Sequence, residues 1–234
     1  MTLGIFQPYF LPYLGYWQLL AMVDRFVVYD NIEYTKKGWI NRNRFLRDGQ
    51  PAYFTVPIKK GSDFLTVAAR QVADDFDREQ LLRTLAASYR RAPQFATVFP
   101  VIERIVQAPF DNLFEYLHFS LGEMARFLEI STPVVVSSTI AIDHTLKAEQ
   151  KVLALCKALG ADRYVNPIGG QALYSPAAFA AESIRLEFLH SRPLEYPQFG
   201  GPFVPNLSIV DVLMFNPMST VRGLLTEADA TPAL

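Results

Sequence analysis

Between Lys36 and Arg44 the chain sets two lysines, a tryptophan, two asparagines and two arginines within nine residues. A guanidinium is a planar, rigid fork that matches the two oxygens of a carboxylate or phosphate. In an extended strand Arg42 and Arg44 share one face while Asn41 and Asn43 share the other. The spacing suits an anion-binding edge, or equally a solvated face beside a strand. Lys36, Lys37, Lys59 and Lys60 read as ordinary exposed lysines. Upstream, Gln7-Pro8-Tyr9-Phe10-Leu11-Pro12-Tyr13-Leu14-Gly15-Tyr16-Trp17 crowds prolines and aromatic rings into one segment. Core packing alone would not select that mixture, and it reads as a ligand site built from loops.

Other polar groups stand where short apolar runs end. Asn166-Pro167-Ile168-Gly169-Gly170-Gln171 follows one such run, and Gly169-Gly170 would let backbone N–H groups approach a phosphate or would simply form a tight turn. His144 lies beside Asp143 before a helical segment, a placement open to general acid–base work or to capping. His118 falls in an apolar helical stripe and reads as structural, while His190 closes a strand and admits either role. Asp211 sits inside Ile209-Val210-Asp211-Val212-Leu213, where a carboxylate needs a partner. Arg42 or Arg44 is the expected partner, whether Asp211 is structural or part of a site. Cys156, the single cysteine, reads as a small core residue. No zinc-ligand spacing, Walker loop, GxGxxG or GxSxG elbow occurs, so no metal and no cofactor are expected.

These residues need a frame. Leu3–Phe6, Arg25–Tyr29, Pro133–Ser137, Arg163–Asn166 and Arg185–Leu189 read as strands, and helical spacing recurs from Lys147 to Leu159 with Gly160 as terminator. The alternation predicts an α/β fold with an open, mainly parallel Rossmann-like sheet. Ligands of such sheets bind outside the carboxyl ends of the strands, and Gln7, Asn31, His144 and Asn166 fall in the loops there. Ala52–Ile58 and Leu65–Val72 predict strands, with Asn43–Arg47 as a third, in a small antiparallel element. Residues 76–129 predict three helices, the last with Leu113, Leu117, Leu121, Met124 and Leu128 on one stripe. The resulting division is 1–50 and 130–225 as an α/β core, 51–129 as a hairpin and helical insertion or cap, and 226–234 as a flexible tail. The proline-rich stretch from Ser191 to Asn206 is long for a compact domain, which favours a functional loop. A short buried helix follows Ser208.

Composition narrows the partners. Half of the 234 residues are hydrophobic, enough for a sizeable core, and 22 basic against 23 acidic side chains leave a net charge of -1. That balance makes nucleic acid an unlikely general partner. No secretion signal and no membrane-length apolar run is visible, so the expectation is a soluble cytoplasmic protein.

Four blocks carry a resemblance: QPYFLPYLGYWQLL, DRFVVYDNIEYTKKGWINRNRF, YVNPIGGQALY and LSIVDVLMFNP. In order and over nearly the whole chain, they are similar to the WbqC-like family. Asn216-Pro217-Met218 departs from the glycine expected soon after that asparagine. The resemblance implies a bacterial setting in surface-polysaccharide (O-antigen) biosynthesis, and a transferase that adds an acyl or aminoacyl group to a nucleotide-linked amino sugar. Under it, Arg42 and Arg44 would hold phosphate or carboxylate, Gln7, Asn43, Asn166, Gly169 and Gly170 would orient the ligand, and His144 or Asp211 would be the catalytic base. The ligand is then a small molecule, an aminoacyl-tRNA donor is left open, and a homodimer is a further option. A more distant likeness joins Gly4-Ile5-Phe6-Gln7-Pro8, Leu14-Gly15-Tyr16 and Asp24-Arg25-Phe26-Val27-Val28 to the opening of HxGH nucleotidylyltransferases. Tyr13 and Tyr16 stand in place of that histidine pair, offering only neutral donors. It implies an adenosine-type pocket as the alternative, and a non-catalytic binding or assembly protein is the third reading.

Overall fold

The structure, a computed structural model, describes residues 1–233. Six strands form the main sheet: β1 (Thr2–Phe6), β2 (Arg25–Val28), β5 (Val134–Val136), β6 (Arg163–Pro167), β7 (Arg185–Ser191) and β8 (Ala228–Pro232). Their spatial order is β5-β2-β1-β6-β7-β8. Every neighbouring pair is parallel except β7 with β8. Counted by rank within this sheet, the order is 3-2-1-4-5-6, that of a doubly wound Rossmann-type sheet. The point where the winding reverses lies between β1 and β6.

Side-chain alternation sends the two faces of the sheet to different helices. Leu3 and Ile5 of β1 join Val27, Val152, Leu155, Cys156, Tyr164 and Phe179 on the face covered by α5 (Ala148–Ala158) and α6 (Pro176–Ala181). The opposite face meets α1 (Leu14–Met22), which packs closely with α8 (Met218–Thr226). Gly4 permits the approach of α1, because a Cβ there would stand 3.3 Å from Phe26 and Val23 and 3.4 Å from Leu19. Helix α5 stops in a Schellman turn: Gly160 at φ +69° gives its N–H to Lys157 O, and Ala161 N–H reaches Cys156 O at 2.8 Å. Burial pushes the Cys156 thiol up to about 12, in keeping with an inert core residue.

β3 (Arg42–Arg47) and β4 (Gln50–Thr55) pair antiparallel as a separate hairpin. A boundary at residue 50 would therefore cut the hairpin. Next come α2 (Arg78–Tyr89), α3 (Phe95–Gln107) and α4 (Leu113–Phe127). Asp77 and Asn112 cap α2 and α4 by accepting from Gln80 and Glu115 N–H. The expected stripe on α4 is buried throughout, and these helices share one apolar cluster with α1, α8 and α7 (Ile209–Phe215).

Two expectations are corrected. Leu65–Val72 is not a strand: it makes isolated bridges from Thr66 to Glu33, Val72 to Ile58 and Gln71 to Asn112, around a short 3-10 turn at Val67–Ala69. Apolar spacing was present, but no single neighbour runs alongside it. Residues 227–233 do not form a flexible tail, and Leu234, the last residue of that expected tail, lies outside the described residues. Ala228–Pro232 pairs with β7 from Ser191 to Glu187, supplying β7 with its second neighbour. Among the described residues no helix is long and apolar enough to cross a membrane.

Candidate functional site

A cleft of about 1700 Å³ opens at the carboxyl ends of the parallel strands. Gln7, directly after β1, and Asn166, near the end of β6, stand on either side of the winding reversal, and both line it. The remaining walls come from the loop after β2, the start of α5, the 3-10 turn Ile168–Leu173, and the proline-rich loop after β7. Such a volume exceeds that of a typical small-ligand pocket. Tyr9, Tyr13, Tyr29, Trp39 and Tyr174 give it flat aromatic surface. Phe64 and Leu173, among the most exposed apolar side chains of the molecule, stand on its walls.

Asn166 is buried: its Oδ1 accepts from the Tyr164 hydroxyl at 3.1 Å, and its Nδ2 donates to Pro167 O at 3.0 Å. Gly170 lies against that amide so closely that a Cβ would sit 2.0 Å from Asn166 Nδ2. Gly170 thus serves close packing in the cleft wall, while a Cβ at Gly169, which also lines the cleft, would meet open space. Gly15 plays a similar part at the start of α1, where a Cβ would meet the Tyr13 ring at 2.6 Å and Ser191 Oγ at 3.0 Å.

His144 lines the cleft with both ring nitrogens engaged. Lys151 Nζ donates to Asn31 Oδ1 at 3.1 Å, which turns the Asn31 amide nitrogen toward His144 Nδ1 at 2.9 Å. Nδ1 therefore accepts, and Nε2 carries the proton that it donates to Ile140 O at 3.0 Å. Asp143 does not orient the ring. Its carboxylate accepts instead from Thr145 N–H and Oγ1, bonds that hold its carboxyl below the usual range. His190 is the contrasting case, an exposed imidazole on the cleft wall with no hydrogen-bond partner among the described residues.

Five expected site residues lie off the cleft wall. Tyr16 is buried, donates to Gln7 O at 3.0 Å, and packs its ring on Phe6, Tyr9 and Phe26. Asn43 is buried and donates to Phe10 and Leu11 carbonyls, fixing the aromatic segment. Arg42 binds Gly38 O at 2.9 Å and Lys37 O, and stacks on Tyr53 and Trp39. Arg44 reaches Asn206 O at 2.9 Å and covers the other ring contact of Trp39. The arginines support a cleft wall from behind. Local spacing placed them correctly on one strand face, but could not show that the face is turned to the Trp39 loop.

Asp211 is wholly buried, and its partner is not an arginine. Oδ1 accepts from the Tyr196 hydroxyl at 2.7 Å and Gln198 Nε2 at 2.6 Å, and Oδ2 from the Tyr89 hydroxyl at 2.8 Å. Burial holds its carboxyl above the usual carboxylate range, opposed by these three bonds. The arrangement ties the proline-rich loop to α2 and α7, and gives the carboxylate no route to a ligand.

Lys151 is the feature that sequence reading missed. The residue is only 5% exposed, yet it lines the cleft. The signal was a lysine four residues before Leu155, inside the apolar stripe of α5.

Fold and cleft together define a doubly wound α/β protein with an open cleft at the switch point of its sheet. The profile of the WbqC-like protein family matches residues 7–223, and the chain belongs to that family. It is also 29% identical over 218 residues to the Uncharacterized protein Rv1507c of Mycobacterium tuberculosis (strain ATCC 25618 / H37Rv), covering 91% of this chain and 92% of that protein. No solved structure gives a significant match.

Proposed function

We propose that the protein is a transferase that moves an acyl or aminoacyl group onto the amine of a nucleotide-linked sugar, in bacterial surface-polysaccharide biosynthesis. One observation carries the reading: an aromatic-walled cleft of about 1700 Å³ at the switch point of a Rossmann-type sheet. Aromatic faces suit a nucleobase, buried amides such as Asn166 suit sugar hydroxyls, and the volume admits a second, acyl-bearing substrate beside the first. In the reaction the amine nitrogen attacks the acyl carbonyl carbon. The new C–N bond forms, the bond from that carbon to the donor's leaving atom breaks with its electron pair, and the amine loses a proton. We assign that proton to His190, whose ring nitrogens have no hydrogen-bond partner among the described residues, over His144, whose ring nitrogens are both engaged, and Asp211, whose carboxylate is buried.

Thermal-shift titration with uridine diphosphate amino sugars tests the binding half, since a ligand that prefers the folded state raises the melting temperature. Acyl transfer in the presence of an acyl donor tests the rest, with His190→Gln expected to lower kcat at least tenfold. Binding without turnover across a panel of donors would favour a binding or assembly protein. The likeness of the chain's opening to HxGH nucleotidylyltransferases, whose corresponding residues here, Tyr13 and Gly15, line this cleft, supports an adenosine nucleotide as the second reading. ATP in the same panel, with pyrophosphate release as the assay, distinguishes it.

A further inference from the structure

Lys151 lies in the cleft wall with every contact neutral. Nζ donates to Asn31 O at 3.3 Å and to Asn31 Oδ1 at 3.1 Å, and stands 5.2 Å above the Tyr29 ring. An ammonium has three donors, so these bonds leave one N–H. Among the described residues no carboxylate forms a salt bridge with it. The Asp30 carboxylate, which accepts from Ser137 Oγ and Ser138 N–H, acts on the ammonium through space without a direct salt bridge. A buried ammonium without a direct ion-pair partner keeps unmet hydrogen-bonding capacity, which an anionic ligand in the cleft would satisfy. The amine is also aimed. Asn31 holds it, Ser137 and His144 hold Asn31, and Ile140 O fixes the tautomer of His144.

We propose that Lys151 Nζ is the phosphate anchor of the cleft, giving its remaining N–H to an anionic phosphate oxygen, with Asn31 and His144 as positioning residues. The same helix begins on the cleft wall at Ala148, with no side chain capping its first turn, so its free N–H groups can join the same anion. A tetrahedral phosphate can accept from both directions at once, which favours it over a planar carboxylate. The inference rests on the cleft being the ligand site of the proposed function, but not on the sugar chemistry.

Calorimetric titration with inorganic pyrophosphate, with acetate and with uridine tests it on the full chain. Pyrophosphate is expected to bind, and Lys151→Met to weaken it at least tenfold without changing uridine binding. Asn31→Asp is nearly isosteric and would set a carboxylate against Nζ. It is expected to abolish pyrophosphate binding, whereas a merely structural Asn31 would leave it intact. Wild-type protein supplies a readout free of folding effects: pyrophosphate should protect Lys151 from reductive methylation, read by mass spectrometry. Equal pyrophosphate affinity in wild type and Lys151→Met, no protection of Lys151, or protection by acetate equal to that by pyrophosphate would each overturn the proposal. If pyrophosphate binds through Lys151 while no nucleotide sugar does, the anchor stands and the transferase reading falls.

Discussion

Asp211 accepts from Tyr89, Tyr196 and Gln198 and forms no salt bridge among the described residues, so its worth is measured by what it satisfies. Asp211→Ala would remove the acceptor of three donors, two of them on the buried Tyr89 and Gln198, and a loss of about 2–4 kcal/mol is expected in urea unfolding. Its folded carboxyl titrates above its unfolded value. The unfolded chain therefore releases this proton first as pH rises, and the Asp211 contribution to stability is lost from the unfolded value of about 3.9 upward through the folded value. The stability of wild type relative to Asp211→Asn should accordingly be greatest below that window and fall across it, the opposite trend to a salt-bridged aspartate. Gly170→Ala makes a different demand, since its Cβ would meet Asn166 Nδ2 at 2.0 Å. Repacking there should cost about 1–3 kcal/mol in the same unfolding assay. At this scale the sequence showed which residues were unusual but not whom they meet. The partners of Asp211 come from positions 89, 196 and 198, and the Asn31 that engages His144 lies 113 positions away, contacts that no local spacing encodes.

Periodicity made most elements legible. The five parallel strands, the hairpin strands β3 and β4, the three helices after residue 76 and the Gly160 stop all carry local signals, of period two, of period 3.6 or of turn chemistry. β8 carries none. Ala228-Asp229-Ala230-Thr231-Pro232 is short, weakly apolar and ends in proline, and it is a strand only because β7 offers it an edge. Ending the chain at Glu227 tests that element. The melting temperature should fall, and the newly bare edge of β7 should promote aggregation in light scattering; a frayed tail would leave both unchanged. Helix α5 gives the complementary lesson, for Lys151 was hidden within an otherwise apolar stripe whose lining of the cleft only the fold reveals.

For the whole molecule, the strand order turns scattered loops into one site. Gln7 and Asn166 are 159 positions apart in the chain, yet the winding reversal between β1 and β6 sets both on the cleft. The carboxyl-end rule made that grouping legible from the strands alone. The basic cluster at Arg42 and Arg44 was not, because β3 belongs to the separate hairpin and those guanidinium groups are spent on the Trp39 loop and Asn206. The central claim is that this cleft is where the ligand binds. Amide chemical-shift mapping of the labelled protein with a uridine diphosphate amino sugar tests it most directly. Shifts are expected to concentrate at Gln7, Asn31, Asn166, Gly169, Gly170 and His190, around the ends of β1, β2, β6 and β7. A ligand that instead moved the amides of the β3–β4 hairpin, or moved none, would contradict the account.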